Sequence, residues 1–185
     1  KKTVVFDQDE HVRTDVTLDE LSKLPPAFKE GGTVTAGNAS GINDGAAAVI
    51  LASRAAVEHD GLRPLGRLVA YAHAGVEPEL MGIGPVPAVR KALDRAGLNV
   101  TDMDVIESNE AFAAQALAVQ RELGLPPERT NPNGSGISIG HPVGATGCIL
   151  TVKALYELQR IQGRYALVTM CIGGGQGIAA IYALV

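Results

Sequence analysis

The sequence predicts an α/β fold with a partly parallel sheet, and three observations carry this prediction. Short apolar runs alternate with segments of helical periodicity, an order that is typical of α/β layers. The helical segments are long and the runs beside them are strongly apolar, which indicates a sheet buried on both faces. The last two apolar runs, 165–170 and 178–184, flank a glycine turn, so we expect an antiparallel hairpin there.

The first 36 residues differ in character from the rest. The chain begins at Lys1-Lys2 without a methionine, so we expect a longer chain upstream; an expression or processing artefact is the alternative. A strand-like run follows at 3–6. A short amphipathic helix over 18–24 is expected to end before two prolines, which disfavour a helical residue ahead of them.

The middle of the chain contains a loop of small residues at 33–45, followed by a continuous apolar run at 46–52. We expect this run to be a buried strand or the start of a buried helix. A further strand is predicted at 65–72. After it, Gly84-Pro85 opens a helix that presents Val89, Ala92, Leu93 and Ala96 as its apolar stripe.

The last third begins with a short strand at 103–106 and a helix for which Asn109 fits as the N-cap. A loop over 131–142 then leads into the longest helix, which ends at Gly163. The predicted apolar face of that helix comprises Val143, Gly147, Leu150, Ala154, Leu158 and Ile161.

The composition argues against several functional classes. The chain has 185 residues, 46% of them hydrophobic, which is enough for one domain with a substantial core. A formal net charge of −4 argues against nucleic acid or an anionic membrane as a partner. No apolar run is long enough to span a membrane. Two cysteines make no disulfide framework, so a reducing, cytoplasmic setting is expected, and no Cys/His spacing resembles a zinc site.

Three reactive or polar side chains lie beside predicted strand ends: Asn109, His141 and Cys171. Open α/β sheets bind their ligands at such places. A thiolate is a good base and nucleophile, an imidazole titrates near neutral pH, and a carboxamide can hold a water or an oxyanion. These residue types in combination are typical of acyl-transfer chemistry.

Each of the three also has a structural interpretation. Asn109 fits as a helix cap, and His141 fits as a solvated loop residue. Cys171, at the corner of the glycine turn, fits as a buried structural cysteine. The glycines that follow it still let the backbone approach a ligand closely, and the N–H of Gly173 is available to bind an anion.

Five blocks of the sequence stand out: Asn109-Glu110-Ala111-Phe112, Gly140-His141-Pro142 with Gly144 and Gly147, Cys171-Ile172-Gly173-Gly174-Gly175-Gln176-Gly177, the segment 37–45 and the segment 81–85. The first three resemble the C-terminal active-site motifs of thiolases, in the order of that family. The other two resemble further thiolase blocks. The resemblance covers essentially the whole chain and is closest to acetyl-CoA acetyltransferases and 3-ketoacyl-CoA thiolases, transferases of fatty acid metabolism.

This resemblance implies a layered fold in which a mixed five-stranded sheet lies between helices, as the C-terminal half of an αβαβα arrangement. It implies that residues 1–36 are the tail of the coenzyme A-binding loop region. Residues 37–185 would then form the C-terminal domain.

The resemblance also implies roles for individual residues. Cys171 would remove the α-proton of acetyl-CoA in synthesis and return it in cleavage. His141 would activate the nucleophilic cysteine and help bind the thioester oxygen, while Asn109 would hold a water in that oxyanion site and the Gly173 N–H would serve a second one. The residues that match positions near coenzyme A or its acyl end are Arg13, Phe28, Ala36, Ser40, Met81, Ala111 and Phe112.

One departure from the family pattern stands out. Thiolases acylate a different cysteine in their N-terminal half, and nothing in this sequence matches its motif. We therefore expect a C-terminal half that is active only with an N-terminal half, in the same or a separate chain, and that forms a homodimer or homotetramer. No metal or cofactor is expected, since coenzyme A enters as the thioester substrate. Glu20 and Ser135 depart from the residues of some members.

Two other functions remain open at this point. A catalytically silent thiolase-like module would bind an acyl-CoA or a partner, but the intact set of Asn109, His141 and Cys171 favours catalysis. A cysteine hydrolase would use the same three residue types, with Cys171 as the acylated nucleophile. Ketoacyl synthases share the fold but typically carry a second histidine at the position of Cys171.

Overall fold

The α/β order expected from the sequence is found in a computed structural model, which describes residues 3–185. Lys1 and Lys2, the start of the chain, lie outside the described residues. The helices are α1 (Leu18–Ser22), α2 (Arg54–Asp60), α3 (Pro85–Ala96), α4 (Ala113–Leu123), α5 (Gly136–Ile139) and α6 (Thr146–Ile161). The strands are β1 (Arg67–Gly75), β2 (Val105–Ser108), β3 (Tyr165–Ile172) and β4 (Gln176–Ala183).

The four strands form one mixed sheet in the order β1-β4-β3-β2. The hairpin of β3 and β4 is antiparallel, as predicted, with Ile172 opposite Gln176 across the glycine turn. β1 pairs antiparallel with β4, and β2 pairs parallel with β3. This arrangement confirms the partly parallel sheet.

The expected number of five strands is wrong for the described residues, which form four. A parallel bridge joins Ile106 of β2 to Thr130, on the open edge of β2 where a further strand would begin. The chain reaches Thr130 from Pro126 and a 3₁₀ turn at Pro127–Arg129. Residues in a 3₁₀ turn bond within the turn, so the chain before Thr130 adds no further pair to this bridge.

Two hydrophobic clusters cover the two faces of the sheet. On one face, Val89 and Ala92 of α3 pack with Leu167 and Ile181 of the sheet, and Val119 of α4 joins them. On the other face, the buried residues of α6 pack against β2 and β3: Leu150, Ala154 and Leu158 against Val105, Ala166 and Val168. Burial of this kind stabilises the fold by about 25 cal/mol per Å² of apolar surface.

The prediction that both faces of the sheet are buried is correct for β2 and β3 but wrong for β1 and β4. On the side of the sheet that carries α6, Leu68, Tyr71 and Ile178 are exposed. The reason is the position of α6, which lies over β2 and β3 and leaves the other two strands uncovered. The result is an apolar surface beside α6 on this chain.

The expectations for the N-terminal part are largely wrong. Residues 3–6 form no strand, and α1 ends at Ser22. The apolar run 46–52 is neither strand nor helix, and Ile50 is 95% exposed. An apolar run becomes a strand only where a neighbouring strand pairs with its backbone, and the described residues offer this run none.

Two details near the helix ends also differ from expectation. Asn109 is not the N-cap of α4, because that helix begins at Ala113 after Phe112 in an extended conformation. Leu150, Ala154 and Leu158 form the buried face of α6 as predicted. Ile161, its last residue, is exposed, and so is Val143, which lies before the helix begins at Thr146. The loop 131–142 contains the short helix α5. Within residues 3–185, no helix has the length and hydrophobicity to span a membrane.

Candidate active site

Asn109 and His141 meet at the carboxyl ends of the parallel strands β2 and β3. Asn109 directly follows β2 and is buried, at 1% exposure. Its backbone N–H donates a 3.0 Å hydrogen bond to the carbonyl of Thr169 in β3, which extends the strand pairing by one residue. The amide Nδ2 of Asn109 lies 3.3 Å from Nε2 of His141. The fold thus joins two of the three predicted catalytic residues.

His141 is held by contacts on its backbone and on both ring nitrogens. Its backbone N–H donates to Oδ1 of Asn43 over 3.0 Å, and its Nδ1 lies 2.7 Å from Oγ1 of Thr146. Ile42 forms a parallel bridge with it. Burial lowers the pKa of the imidazole, so the neutral ring is favoured at pH 7. A neutral imidazole has one bare nitrogen that can accept a proton.

The close approach of Asn43 depends on a glycine beside His141. Gly140 has a φ of 92°, in the region that favours glycine. A Cβ at this residue would lie 2.8 Å from Oδ1 of Asn43, closer than side chains normally pack. The glycine therefore leaves room for the acceptor that holds the histidine backbone.

Cys171 lies near the end of β3, at the same edge of the sheet. It is two residues beyond Thr169, whose carbonyl binds the backbone of Asn109, and it pairs with Gly177 across the hairpin. The thiol is buried, and this burial raises its pKa above the usual value. Beside it, the space around Gly173 is open, since a Cβ at that residue would have no heavy atom within 4 Å.

The glycine turn is fixed by contact with the start of α3. A Cβ on Gly177 would lie 2.0 Å from the carbonyl carbon of Gly84, so the two backbones touch. The N–H of Val76 donates to the carbonyl of Gly175 over 2.7 Å. These contacts place the turn that follows Cys171 without the use of side chains.

Asn131 connects the loop 131–138 to the end of β2. Its Oδ1 accepts the N–H of Ser108 over 2.8 Å, and its Nδ2 donates to the carbonyl of Ser108 over 2.8 Å. Nδ2 also donates to Oε1 of Glu110 over 3.1 Å. Ser135, one of the departures from the family pattern, is fully buried and accepts the Glu110 N–H over 3.3 Å. The residues on either side of Asn109 are therefore fixed by this loop.

A buried ion pair lies beneath the same loop. Glu107 of β2 is 0% exposed, and its Oε2 accepts a 2.9 Å hydrogen bond from Nζ of Lys153 in α6. Nζ also donates to the carbonyl of Gly134. Burial raises the pKa of the Glu107 carboxyl, and Lys153 opposes that change without cancelling it. The pair thus joins β2, α6 and the loop.

Four of the residues expected near the substrate form one group. The rings of Phe28 and Phe112 pack edge to face with centroids 5.7 Å apart, and the N–H of Ser40 donates to the carbonyl of Ala111 over 3.0 Å. Met81 lies in the 3₁₀ helix Pro78–Ile83, which contacts α4. The remaining two, Arg13 and Ala36, lie in the irregular N-terminal segment.

Two cavities lie beside this site. One of about 490 Å³ lies between α4 and the loop that follows it, and Glu110, Leu117 and Ile137 are among its lining residues. A shallower one of about 360 Å³ is lined by 43–47 and by Pro142. Neither of these two cavities is lined by Asn109, His141 or Cys171. Among residues 3–185, no group of three or more His, Cys, Asp or Glu side chains is arranged to hold a metal ion.

Sequence reasoning did not find the residues that hold the candidate catalytic groups: Asn43, Thr146, Asn131, Lys153 and Glu107. Asn43 and Asn131 lie in polar loops, and the sequence gives no sign of which backbone groups they bind. Thr146 lies five residues after His141, a spacing that could have marked it. The other contacts join residues far apart in the chain, so only the folded structure reveals them.

In comparisons with known proteins, two domain models of one family match consecutive parts of the chain. Residues 62–183 match the family described as Thiolase, C-terminal domain, and residues 1–55 match Thiolase, N-terminal domain. These matches meet between residues 55 and 62, whereas our sequence-based boundary lies between 36 and 37. That boundary stays a prediction.

Individual relatives agree with the family matches. A beta-ketothiolase of Cupriavidus necator, BktB, is 69% identical over 98% of this chain and 46% of its own length. The crystal structure of the Bacillus anthracis acetyl-CoA acetyltransferase superposes with a TM-score of 0.93 at 49% identity, covering 100% of this chain and 47% of that one. The crystal structure of human mitochondrial 3-ketoacyl-CoA thiolase in complex with CoA superposes with a TM-score of 0.87 at 48% identity, covering 97% of this chain and 46% of that one. The chain thus spans about half the length of these relatives.

Proposed function

Because the chain belongs to the thiolase family, we propose that it is the C-terminal catalytic half of a thiolase. The reaction is the reversible Claisen condensation of two acetyl-CoA, or of an acyl-CoA and acetyl-CoA, to a 3-ketoacyl-CoA. The observation that carries the proposal is the 3.3 Å approach of Asn109 Nδ2 to His141 Nε2, at the edge of the sheet where Cys171 also lies. An N-terminal half supplies the cysteine that is acylated.

Cys171 acts as the acid and base of the condensation. Since burial raises its pKa, the thiol holds its proton at neutral pH, and its thiolate is a strong base once the proton has left. The coenzyme A thiolate released in the acylation step is an acceptor for that proton. The Cys171 thiolate then takes the α-proton of the second acetyl-CoA. The resulting enolate carbon bonds to the acyl carbon, and the cysteine of the N-terminal half leaves as a thiolate.

His141 and Asn109 stabilise the negative oxygen that develops in these steps. The imidazole is neutral at pH 7, so its bare nitrogen accepts the proton of the nucleophilic cysteine before acylation. Asn109 holds a water that donates to the thioester oxygen. The N–H of Gly173, beside open space, serves the second oxyanion site.

We propose that the coenzyme A thioester lies along the group formed by Phe28, Ser40, Ala111 and Phe112. Support comes from the packing of the two rings and from the hydrogen bond between Ser40 and Ala111. Arg13, Ala36 and Met81 are proposed as further contacts. The chemistry needs no metal or resident cofactor, because coenzyme A enters as part of the substrate.

An N-terminal thiolase half, in the same or a separate chain, is the partner that this site needs. The apolar residues Ile50 and Leu51, which are 95% and 85% exposed, support this proposal. Exposed apolar patches of this kind mark interaction sites. A homodimer or homotetramer of the completed enzyme and a cytoplasmic location stay predictions.

The test combines this chain with the N-terminal half of the Cupriavidus necator relative and radiolabelled acetyl-CoA. Label on a cysteine of the added half, with formation of a 3-ketoacyl-CoA, is the expected result. Label on Cys171 would instead identify a cysteine hydrolase. Binding of acetyl-CoA without label on either chain would identify a silent acyl-CoA-binding module, and the proposed function would be wrong.

A further inference from the structure

We propose that Thr146 is a positioning residue that fixes which nitrogen of His141 carries the proton. Its hydroxyl holds the ring as the Nδ1–H tautomer, so that Nε2 keeps its lone pair on the side of Asn109. The tautomer follows from contacts within this chain. Only its catalytic consequence rests on the proposed function.

The argument begins with the hydroxyl hydrogen of Thr146. Its Oγ1 lies 2.9 Å from the carbonyl oxygen of Pro142 and 2.7 Å from Nδ1 of His141. Two oxygens at that separation need a hydrogen between them, since their lone pairs otherwise repel. A carbonyl oxygen has no hydrogen, so the hydroxyl of Thr146 must donate to Pro142.

The remaining contact of the hydroxyl then has one direction only. Having donated its single hydrogen to Pro142, Oγ1 of Thr146 can only accept from Nδ1 of His141. Nδ1 must therefore carry a proton. Thr146 is buried at 2% exposure, so bulk water does not compete for these positions.

The contact on the other side of the ring agrees with this assignment. In a neutral ring with Nδ1–H, Nε2 is an acceptor, and Nδ2 of Asn109 lies 3.3 Å from it as a donor. The opposite tautomer would place Nε2–H against that amide nitrogen and would leave Oγ1 of Thr146 and the Pro142 oxygen without a hydrogen between them. Burial lowers the pKa of the ring and so disfavours the doubly protonated form.

The place of Thr146 in the fold makes this tautomer a fixed property. Thr146 is the first residue of α6, and its backbone N–H also donates to the carbonyl of Pro142 over 2.9 Å. The side chain is thus anchored by the start of the longest helix. When Nε2 takes up a proton, the Nδ1–H bond to the hydroxyl stays in place and the ring keeps its orientation.

The experiment is ¹⁵N NMR of the imidazole rings in the full 185-residue chain, without substrate, at a pH high enough for the rings to be neutral. The signals of His141 are assigned by their loss in His141→Gln. We expect a protonated Nδ1 and a bare Nε2 in the unchanged chain and in Thr146→Ser, which keeps the hydroxyl. Thr146→Val, of nearly the same shape, should show a mixture that includes the Nε2–H tautomer.

An Nε2–H ring in the unchanged chain would overturn the proposal, and so would an unaltered tautomer in a folded Thr146→Val. If Thr146→Val does not fold, as judged by circular dichroism, the unchanged chain and Thr146→Ser decide the question. The rate of acylation in the reassembled enzyme tests the other proposal separately. If Thr146→Val is acylated more slowly than the unchanged enzyme while Thr146→Ser is acylated at the normal rate, the tautomer matters for catalysis. If both variants are acylated at the normal rate although their NMR spectra are as expected, this would count against His141 as the activating base.

Discussion

Asn43 and His141 are 98 residues apart in the chain, yet Oδ1 of Asn43 accepts the backbone N–H of His141 over 3.0 Å. Asn43 lies in the part of the chain that matches the thiolase N-terminal domain, and His141 lies in the part that matches the C-terminal domain. The candidate catalytic histidine is therefore held by a residue from the part of the chain that matches the other family model.

Removal of this acceptor should destabilise the chain. Asn43→Leu leaves the His141 N–H without a partner, which costs about 1 kcal/mol of unfolding free energy. Urea denaturation measures the change. Asn43→Asp keeps an oxygen at the same place and is the matched control. Equal losses in the two variants would show that the hydrogen bond is not the cause.

The buried pair of Glu107 and Lys153 should be sensitive to removal of one partner. Lys153→Met leaves the Glu107 carboxylate buried and unpaired, which costs about 3–5 kcal/mol of unfolding free energy near neutral pH. The double variant Lys153→Met/Glu107→Met should regain most of that loss, because neither charge remains. If the double variant is as unstable as Lys153→Met, packing and not charge is responsible.

The unfolding free energy of the Lys153→Met variant should also depend on pH. The folded-state pKa of Glu107 is raised above its unfolded value of 4.5, so the folded state holds this proton more tightly. The contribution of this group is fully present below the unfolded pKa and is lost as the pH rises through the folded pKa. Without Lys153 the raised pKa should rise further, so the unfolding free energy of Lys153→Met should increase as the pH is lowered from 7 toward 4.5. A flat profile would contradict this reasoning.

The contact between Gly177 and Gly84 should not tolerate a side chain. A Cβ on Gly177 would lie 2.0 Å from backbone atoms of Gly84, so Gly177→Ala must displace the glycine turn or the start of α3, at a cost of about 1–3 kcal/mol. Thermal unfolding measures the loss. Gly144→Ala is the control, because no heavy atom lies within 4 Å of its Cβ position. A Gly177→Ala chain as stable as the control would refute the close contact.

Cys171→Ala should separate the acylation step of the proposed reaction from the condensation step. In the reassembled enzyme this variant should still be acylated by acetyl-CoA, since the acylated cysteine belongs to the other half. It should fail to form the carbon–carbon bond, because no base removes the α-proton. Mass spectrometry measures acylation and a condensation assay measures product. Normal condensation by the variant would remove Cys171 from its assigned role.

His141→Ala should slow the acylation step itself. Without the imidazole, the nucleophilic cysteine loses the group that accepts its proton, and general-base catalysis contributes about 10²–10⁴-fold in rate. Rapid-mixing measurement of the first turnover gives the acylation rate directly. An unchanged burst of acylation in this variant would argue that another group activates the cysteine.

The sequence determined the order of helices and strands, the closing hairpin and the three residue types of the candidate site. These features depend on local patterns: the apolar stripe of α3, the runs of β3 and β4, and the glycines between them. Such patterns reflect burial and backbone freedom, which neighbouring residues set. The run 46–52, predicted to be a buried strand or the start of a buried helix, forms neither. Local patterns do not show whether a neighbouring element will be there to pair or pack with such a run.

Only the tertiary structure decided how the candidate residues are held. Asparagine is a common N-cap residue, but the hydrogen bond from the Asn109 N–H to Thr169 places Asn109 in the extended chain beyond β2 and beside His141. Thr146 and Asn43 act through single hydrogen bonds to chosen atoms. A hydrogen bond depends on distances of a few tenths of an ångström between elements that fold together, and no pattern along one segment of sequence contains that information.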